Sequence, residues 1–131
     1  MKPALRDFFD VQLEIVLGEF PESIHDLLAK VPLHVEDYPP QSVLNEVGVA
    51  RRDDLCGLYT GVPLSHRHAS EPPILPDVVT VYREGILKLA VGRQGNLRED
   101  ELRRQIRITV LHELGHHHGL EEEDLQRLGY G

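Results

Sequence analysis

The sequence predicts an α+β fold: a small mixed or antiparallel sheet packed with helices, closed by one long helix near the C-terminus. Three observations predict it. Apolar residues recur at helical spacing near the start, at Leu5, Phe8, Phe9, Leu13, Val16 and Leu17. Short runs of strand composition follow, VPLHVED (31–37), LCGLYTG (55–61) and VVTVYR (78–83). A second helical pattern then covers about 98–117. Helices, then several short strands, then a helix is the order of an α+β domain. At 131 residues, one domain over 1–131 is expected, long enough to bury a core without disulfides.

Taken in order, the first helix is expected over about Ala4–Gly18. Pro21 sits near the start of a shorter helix through Ala29. VPLHVED reads as a strand that DYPPQS (37–42) ends. LCGLYTG reads as a second strand closing on Gly61. VVTVYR alternates and is β-branched; Glu84-Gly85 reads as a turn, and ILKLAVG (86–92) as its hairpin partner. The run 62–77 carries Pro63, Pro72, Pro73 and Pro76 and reads as a long loop with a functional role. RQGN (93–96) reads as a second loop. The long helix is expected over about Arg98–His117, stopped by Gly119. EEDLQRLG (122–129) reads as a short final helix.

Composition narrows the partners. Fourteen Lys and Arg stand against 22 Asp and Glu, a formal charge of −8. That balance argues against nucleic acid, whose phosphates select clustered cations, and against an anionic membrane surface. No window approaches the ~20 apolar residues of a membrane span. Arg6, Asp7, Asp10 and Glu14 interrupt any apolar run at the start, so no signal peptide is read. Cys56 is the one cysteine, which rules out an intrachain disulfide and a cysteine-rich metal site. The expected compartment is the reducing cytoplasm.

The chemistry concentrates in HELGHHHGLEEED (112–124). His112 and His116 are four apart on the expected helix, so their imidazoles stack on one face. Each can give a nitrogen to one tetrahedral zinc. Glu113 lies on the neighbouring flank, where the H-E-x-x-H arrangement uses a carboxylate as general base toward a metal-bound water. Around it, Ile108, Val110, Leu111 and Leu114 make this part of the helix apolar nearly all round. A polar trio in so dry a setting calls for a purpose, because a buried carboxylate is costly unless bonded or near a metal. Gly115 costs about 1 kcal/mol in a helix interior and implies a close approach by a strand or substrate.

A zinc site needs a third ligand. Only 15 residues follow His116, too few for a second helix far downstream to supply it. The acidic run Glu121, Glu122, Glu123, Asp124 remains, and spacing from Gly119 favours Glu122. The alternative for that run is a solvated helix start. His117 and His118 turn away from the ligand face and are expected as surface or capping imidazoles. His66, Arg67 and His68 sit in the proline-rich run, where Arg67 could clamp a substrate carboxylate or pin the loop. Tyr59, Tyr82 and Tyr130 are candidate oxyanion donors.

GLYTG (57–61), VPLSHR (62–67), LPDVVTVYR (75–83) and RITVLHELGHHHGLEEEDL (107–125) together resemble the minimal zincin family, small bacterial proteins of the zincin-like metallopeptidase class. The family motif is H-E-x-x-H-x-x-G-x-x-D. The resemblance implies His112 and His116 as ligands, Glu113 as base and the residue at 122 as third ligand. Position 122 is Glu in place of Asp, one methylene longer. Position 118 is His in place of an aromatic, and 121 is Glu in place of a small capping residue.

The resulting expectation is a zinc-dependent metallopeptidase acting on a peptide or small protein, with Zn²⁺ on His112, His116 and Glu122. The cleft would lie between the motif helix and an edge strand, VVTVYR or LCGLYT, on which a peptide could pair by β-augmentation. The rival is a non-catalytic metal- or peptide-binding module that keeps the fold. A metal-dependent nuclease is disfavoured by the acidic balance.

Overall fold

The computed structural model describes residues 1–61 and 77–121, together with 123 and 127. Helix α1 (Pro3–Glu19) starts on a proline, whose fixed φ suits the first turn, and buries Phe9, Leu13 and Val16. Helix α2 (Glu22–Lys30) follows. Strand β1 (Leu33–Glu36) alternates half-buried with exposed residues, the period-2 pattern of a strand with one covered face. Helix α3 (Gln41–Val47) ends on Gly48 in the left-handed region at φ 74°. A 3₁₀ turn at Arg52–Asp54 leads into strand β2 (Gly57–Thr60). Strand β3 (Val78–Tyr82), helix α4 (Arg83–Val91) and helix α5 (Glu99–His117) complete the described order.

The three strands form a mixed sheet in the order β1-β3-β2. β1 runs parallel to β3, with Val35 opposite Val81. β2 runs antiparallel to it, with Gly57 opposite Val81 and Tyr59 opposite Val79. β3 is therefore central, so of the two strands expected as the edge, VVTVYR is not one and LCGLYT is; among the described strands the edges are β1 and β2. β3 alternates buried Val79 and Val81 with half-buried Val78 and Thr80, β-branched residues that suit a central strand. The core joins Val79 and Val81 to Phe9, Leu13 and Val16 of α1, Ile86 and Ala90 of α4, and Leu102, Ile106 and Val110 of α5. No helix among the described residues is long and apolar enough to cross a membrane.

ILKLAVG is not a returning strand. The chain passes from Tyr82 directly into α4, without a turn. Gly85, Ile86, Leu87 and Ala90 are buried while Lys88 and Leu89 face outward, a helical and not an alternating pattern. Gly85 serves packing: a Cβ there would collide with the Leu55 carbonyl oxygen. The switch from strand to helix is fastened by Arg83, only 12 % exposed, which donates to Asp10 of α1 and to Asp37 beyond β1. Arg6 of α1 grips Asp37 from the other side with two more bonds. α3 is a second departure, a helix that no reading of 41–47 anticipated. The turn residues of the expected RQGN loop form a 3₁₀ turn at Gly92–Gln94 and a left-handed Gly95. Of the expected loop at 62–77 only Asp77 is among the described residues, and of the final helix at 122–129 only Glu123 and Arg127.

Candidate metal centre

α5 is the element that builds the site. Glu99, Asp100 and Glu101 occupy its first turn, where carboxylates favour the positive helix end. Leu102, Ile106, Val110 and Leu114 then bury the stripe that seats the helix on the core. The seated helix carries His112, Glu113 and His116 beside β2.

The helix ends as the Gly119 signal predicts, and the ending does more than stop it. Gly119 has φ 85°. Its N–H donates to His116 O at 2.9 Å, and the Leu120 N–H donates to Gly115 O at 3.0 Å. This is the Schellman pattern, which folds the chain back over the last turn. The Leu120 carbonyl is thereby delivered 3.0 Å from Nδ1 of His116. A carbonyl only accepts, so Nδ1 carries the proton and the neutral ring keeps its lone pair on Nε2.

That Nε2 faces Nε2 of His112 at 3.2 Å. Two nitrogens on a tetrahedral zinc at ~2.0–2.1 Å each stand about 3.3 Å apart, so the pair is spaced for one ion. His112, Glu113 and His116 gather with their ligand atoms within 4.8 Å of one another, and no other described His, Cys, Asp or Glu joins them. Glu113 is 8 % exposed, and its Oε2 lies 3.8 Å from His112 Nε2. The donor set, two imidazoles with one partnered by a backbone carbonyl, fits a borderline-soft divalent cation such as zinc.

β2 forms the opposite wall. Gly57 allows the approach: a Cβ there would stand 2.9 Å from Thr109 Cγ2 and 3.1 Å from Glu113 Cγ. Gly115 is itself buried in α5. Between strand and helix lies a cavity of about 410 Å³, lined by Gly57, Tyr59, His112, Glu113, His116 and Leu120 among others. The cleft therefore runs between the motif helix and an edge strand, and that edge is the LCGLYT strand.

His117 departs from the surface position expected for it. It is 4 % exposed, and its ring meets Tyr59 edge-on at 5.6 Å. The reason is β2, which covers the last turn of α5. Nδ1 of His117 is 3.4 Å from the Tyr59 hydroxyl, which donates to Asp77 Oδ1 at 2.8 Å. Gly61 makes room for this group, since a Cβ there would strike Asp77. The role of Asp77 and the burial of His117 carried no signal in the sequence, because the partners stand 18 and 58 residues from Tyr59. His118 is exposed at the helix cap, as expected.

Of the tyrosines, Tyr59 lines the cavity and Tyr82 does not. Tyr82 is buried in the core, and burial pushes its pKa up to about 12. In the acidic run, Glu121 lines the cavity but stands outside the His–Glu–His group, and Glu123 is exposed. Glu122, Asp124, His66, Arg67, His68 and Tyr130 lie outside the described residues.

No curated protein matches the chain. A family model, described as zincin-like metallopeptidase, matches residues 28–131. That span takes in all three strands, α5 and the His112-Glu113-His116 group, the elements from which the cleft is built. A match over most of the chain, joined to a helix that holds two facing imidazoles and a buried glutamate, establishes that this protein belongs to the zincin-like metallopeptidase family.

Proposed function

We propose that the protein is a zinc-dependent peptidase. The observation that carries this reading is the 3.2 Å approach of His112 Nε2 and His116 Nε2 beside the buried Glu113. His112 and His116 would hold the metal through Nε2, and Glu122 is the proposed third ligand. Zinc, when bound at such a site, polarises a carbonyl and lowers the pKa of water toward about 7.

The chain supplies the rest. The Leu120 carbonyl holds His116 in the tautomer that presents Nε2. Glu113 takes the proton of the attacking water at a carboxylate oxygen and returns it to the leaving amide nitrogen. Glu113 is only 8 % exposed, and the low-dielectric surroundings of α5 sharpen electrostatic effects at that carboxylate. β2, an edge of the sheet on the cavity wall, would bind an extended peptide by main-chain pairing.

The test has two parts. Chelator-stripped protein titrated with zinc near neutral pH should show one tight site, strongly weakened in His112→Ala and in Glu122→Ala. The loaded protein should then cleave sensitive peptides, and Glu113→Gln should abolish cleavage while retaining the metal. A tight site without cleavage would instead favour a binding module, and no tight site would remove the peptidase reading.

A further inference from the structure

Helix α1 carries a second apolar row, turned away from the core. Its inward residues are Phe9, Gln12, Leu13 and Val16. Ala4, Phe8, Val11, Ile15 and Gly18 form the other row, at alternating steps of four and three, the spacing of a coiled-coil seam. Val11 is 54 % exposed and Ile15 41 %, Phe8 is half-buried, and Ala4 and Gly18 are exposed. Met1 continues the row by the same steps, so three of the six large hydrophobic residues exposed among the described residues lie on it. Such a concentration marks a contact surface, unlike apolar residues scattered singly. A Cβ at Gly18 would meet nothing within 4 Å, so packing within the chain does not call for a glycine there. A small residue on the seam lets a second helix come closer.

The two flanks of the row differ in charge. On one stand Asp7 and Glu14, both exposed and neither in an ion pair among the described residues. On the other stand Gln12 and Glu19, with Arg103 and Arg107 reaching over from α5. Arg103 donates to Gln12 at 2.6 Å and lies 3.8 Å from Glu99, and Arg107 lies 3.8 Å from Glu19. Those carboxylates balance the arginine flank in formal charge, yet they stand at the outer limit of ion pairing. Guanidinium N–H groups are left for a closer partner.

Two copies can lay these rows together in two ways. Antiparallel helices would bring the two uncompensated acidic flanks face to face, and like charges so placed are costly. Parallel helices about a two-fold axis set each acidic flank against the arginine flank of the other copy. From this pattern we infer that α1 is a homodimer interface. A second copy of this chain packs its own α1 in parallel on Phe8, Val11 and Ile15, with Asp7 toward the partner's Arg103 and Glu14 toward the partner's Arg107. None of the described residues that line the metal-centre cleft belongs to α1, so both clefts stay open. The 17 residues of α1 give a seam of about 25 Å, a small interface of micromolar strength.

The experiment is sedimentation velocity on the full chain from about 1 to about 300 μM, a range that brackets micromolar association. The wild type should pass from monomer to dimer. Ile15→Glu and Val11→Glu should each weaken the dimer about tenfold or more. Their urea midpoints at the lowest concentration should stay near wild type, because both positions are exposed. Glu14→Arg and Arg107→Glu should each weaken the dimer several-fold, and both together in one chain should restore it, since the reversed pair meets across the parallel interface. A chain that stays monomeric throughout, or a dimer indifferent to Ile15→Glu and Val11→Glu, would overturn the interface. So would charge reversals that fail to weaken it singly or to restore it together.

Discussion

Nε2 of His112 and Nε2 of His116 face each other at 3.2 Å, one helical turn apart on α5. The spacing of four residues brings the rings to one face. The orientation comes from elsewhere: the Leu120 carbonyl fixes the proton of His116 on Nδ1, and Gly119 puts that carbonyl in place. A glycine three residues beyond the second histidine thus reaches the candidate metal centre through one hydrogen bond.

Gly119→Ala should therefore weaken zinc binding by about 10–100-fold, the usual effect of losing an outer partner of a ligating histidine. The left-handed φ of 85° disfavours any residue with a Cβ, so the Schellman turn should loosen. Competition with a chromogenic chelator measures this directly. Affinity equal to wild type would show that the carbonyl does not orient His116.

Glu113→Gln should lower peptide cleavage by about 10²–10⁴-fold, the range of a single proton-transfer group. Zinc content should stay near wild type, because the two imidazoles are untouched. Activity persisting in this variant would remove Glu113 as the base. Loss of zinc together with activity would reassign it as a ligand.

Two glycines should separate fold from site. At Gly85 a Cβ meets backbone of Leu55, which cannot swing aside, so Gly85→Ala should cost about 1–3 kcal/mol or more in urea unfolding. At Gly57 the two nearest neighbours are side-chain atoms of Thr109 and Glu113, and the backbone oxygen of Thr80 stands farther off at 3.2 Å than the Leu55 oxygen does from Gly85. Gly57→Ala should cost less stability but displace Glu113, reducing kcat more than it raises KM. Equal stability losses would mean that the wall of the cleft is as rigid as the joint between β2 and α4.

The Arg6 bond, aided by Arg83 and opposed by burial, holds the Asp37 carboxyl below its ordinary value of 3.8. A carboxylate depressed in the folded state stabilises above its unfolded pKa and loses that stabilisation as pH falls through the folded one. Stability from this group is thus intact at neutral pH and declines below about pH 4. Asp37→Asn should lower the urea midpoint near neutrality and flatten its acid dependence below about pH 4. Parallel curves for the two proteins would show that Asp37 does not contribute to acid unfolding.

Much of the site was legible because it is local. His112, Glu113 and His116 lie within five residues on a helix whose apolar stripe and terminal glycine mark its course. α1, α2, β1, β2, β3 and α5 all appear where periodicity and turn residues put them, within a residue or two at α-helix ends and more loosely at strand ends. ILKLAVG misled because seven mostly apolar residues fit either period. The deciding contact, Gly85 against Leu55, joins positions 30 apart. α3 was missed because QSVLNEV follows a proline pair that reads as a break, while its own stop, Gly48, needs the left-handed φ to be recognised.

Periodicity, charge balance and the H-E-x-x-H spacing are properties of neighbours in the chain, so the sequence alone sufficed for the α+β class, the motif helix and its acidic, non-basic character. Which strand is central, which edge faces α5 and why His117 is buried are relations between residues tens of positions apart. Those were decided only when the core chose one arrangement of α1, α4 and α5 around β3, since burying Val79 and Val81 of the central strand against those helices leaves β2 beside α5.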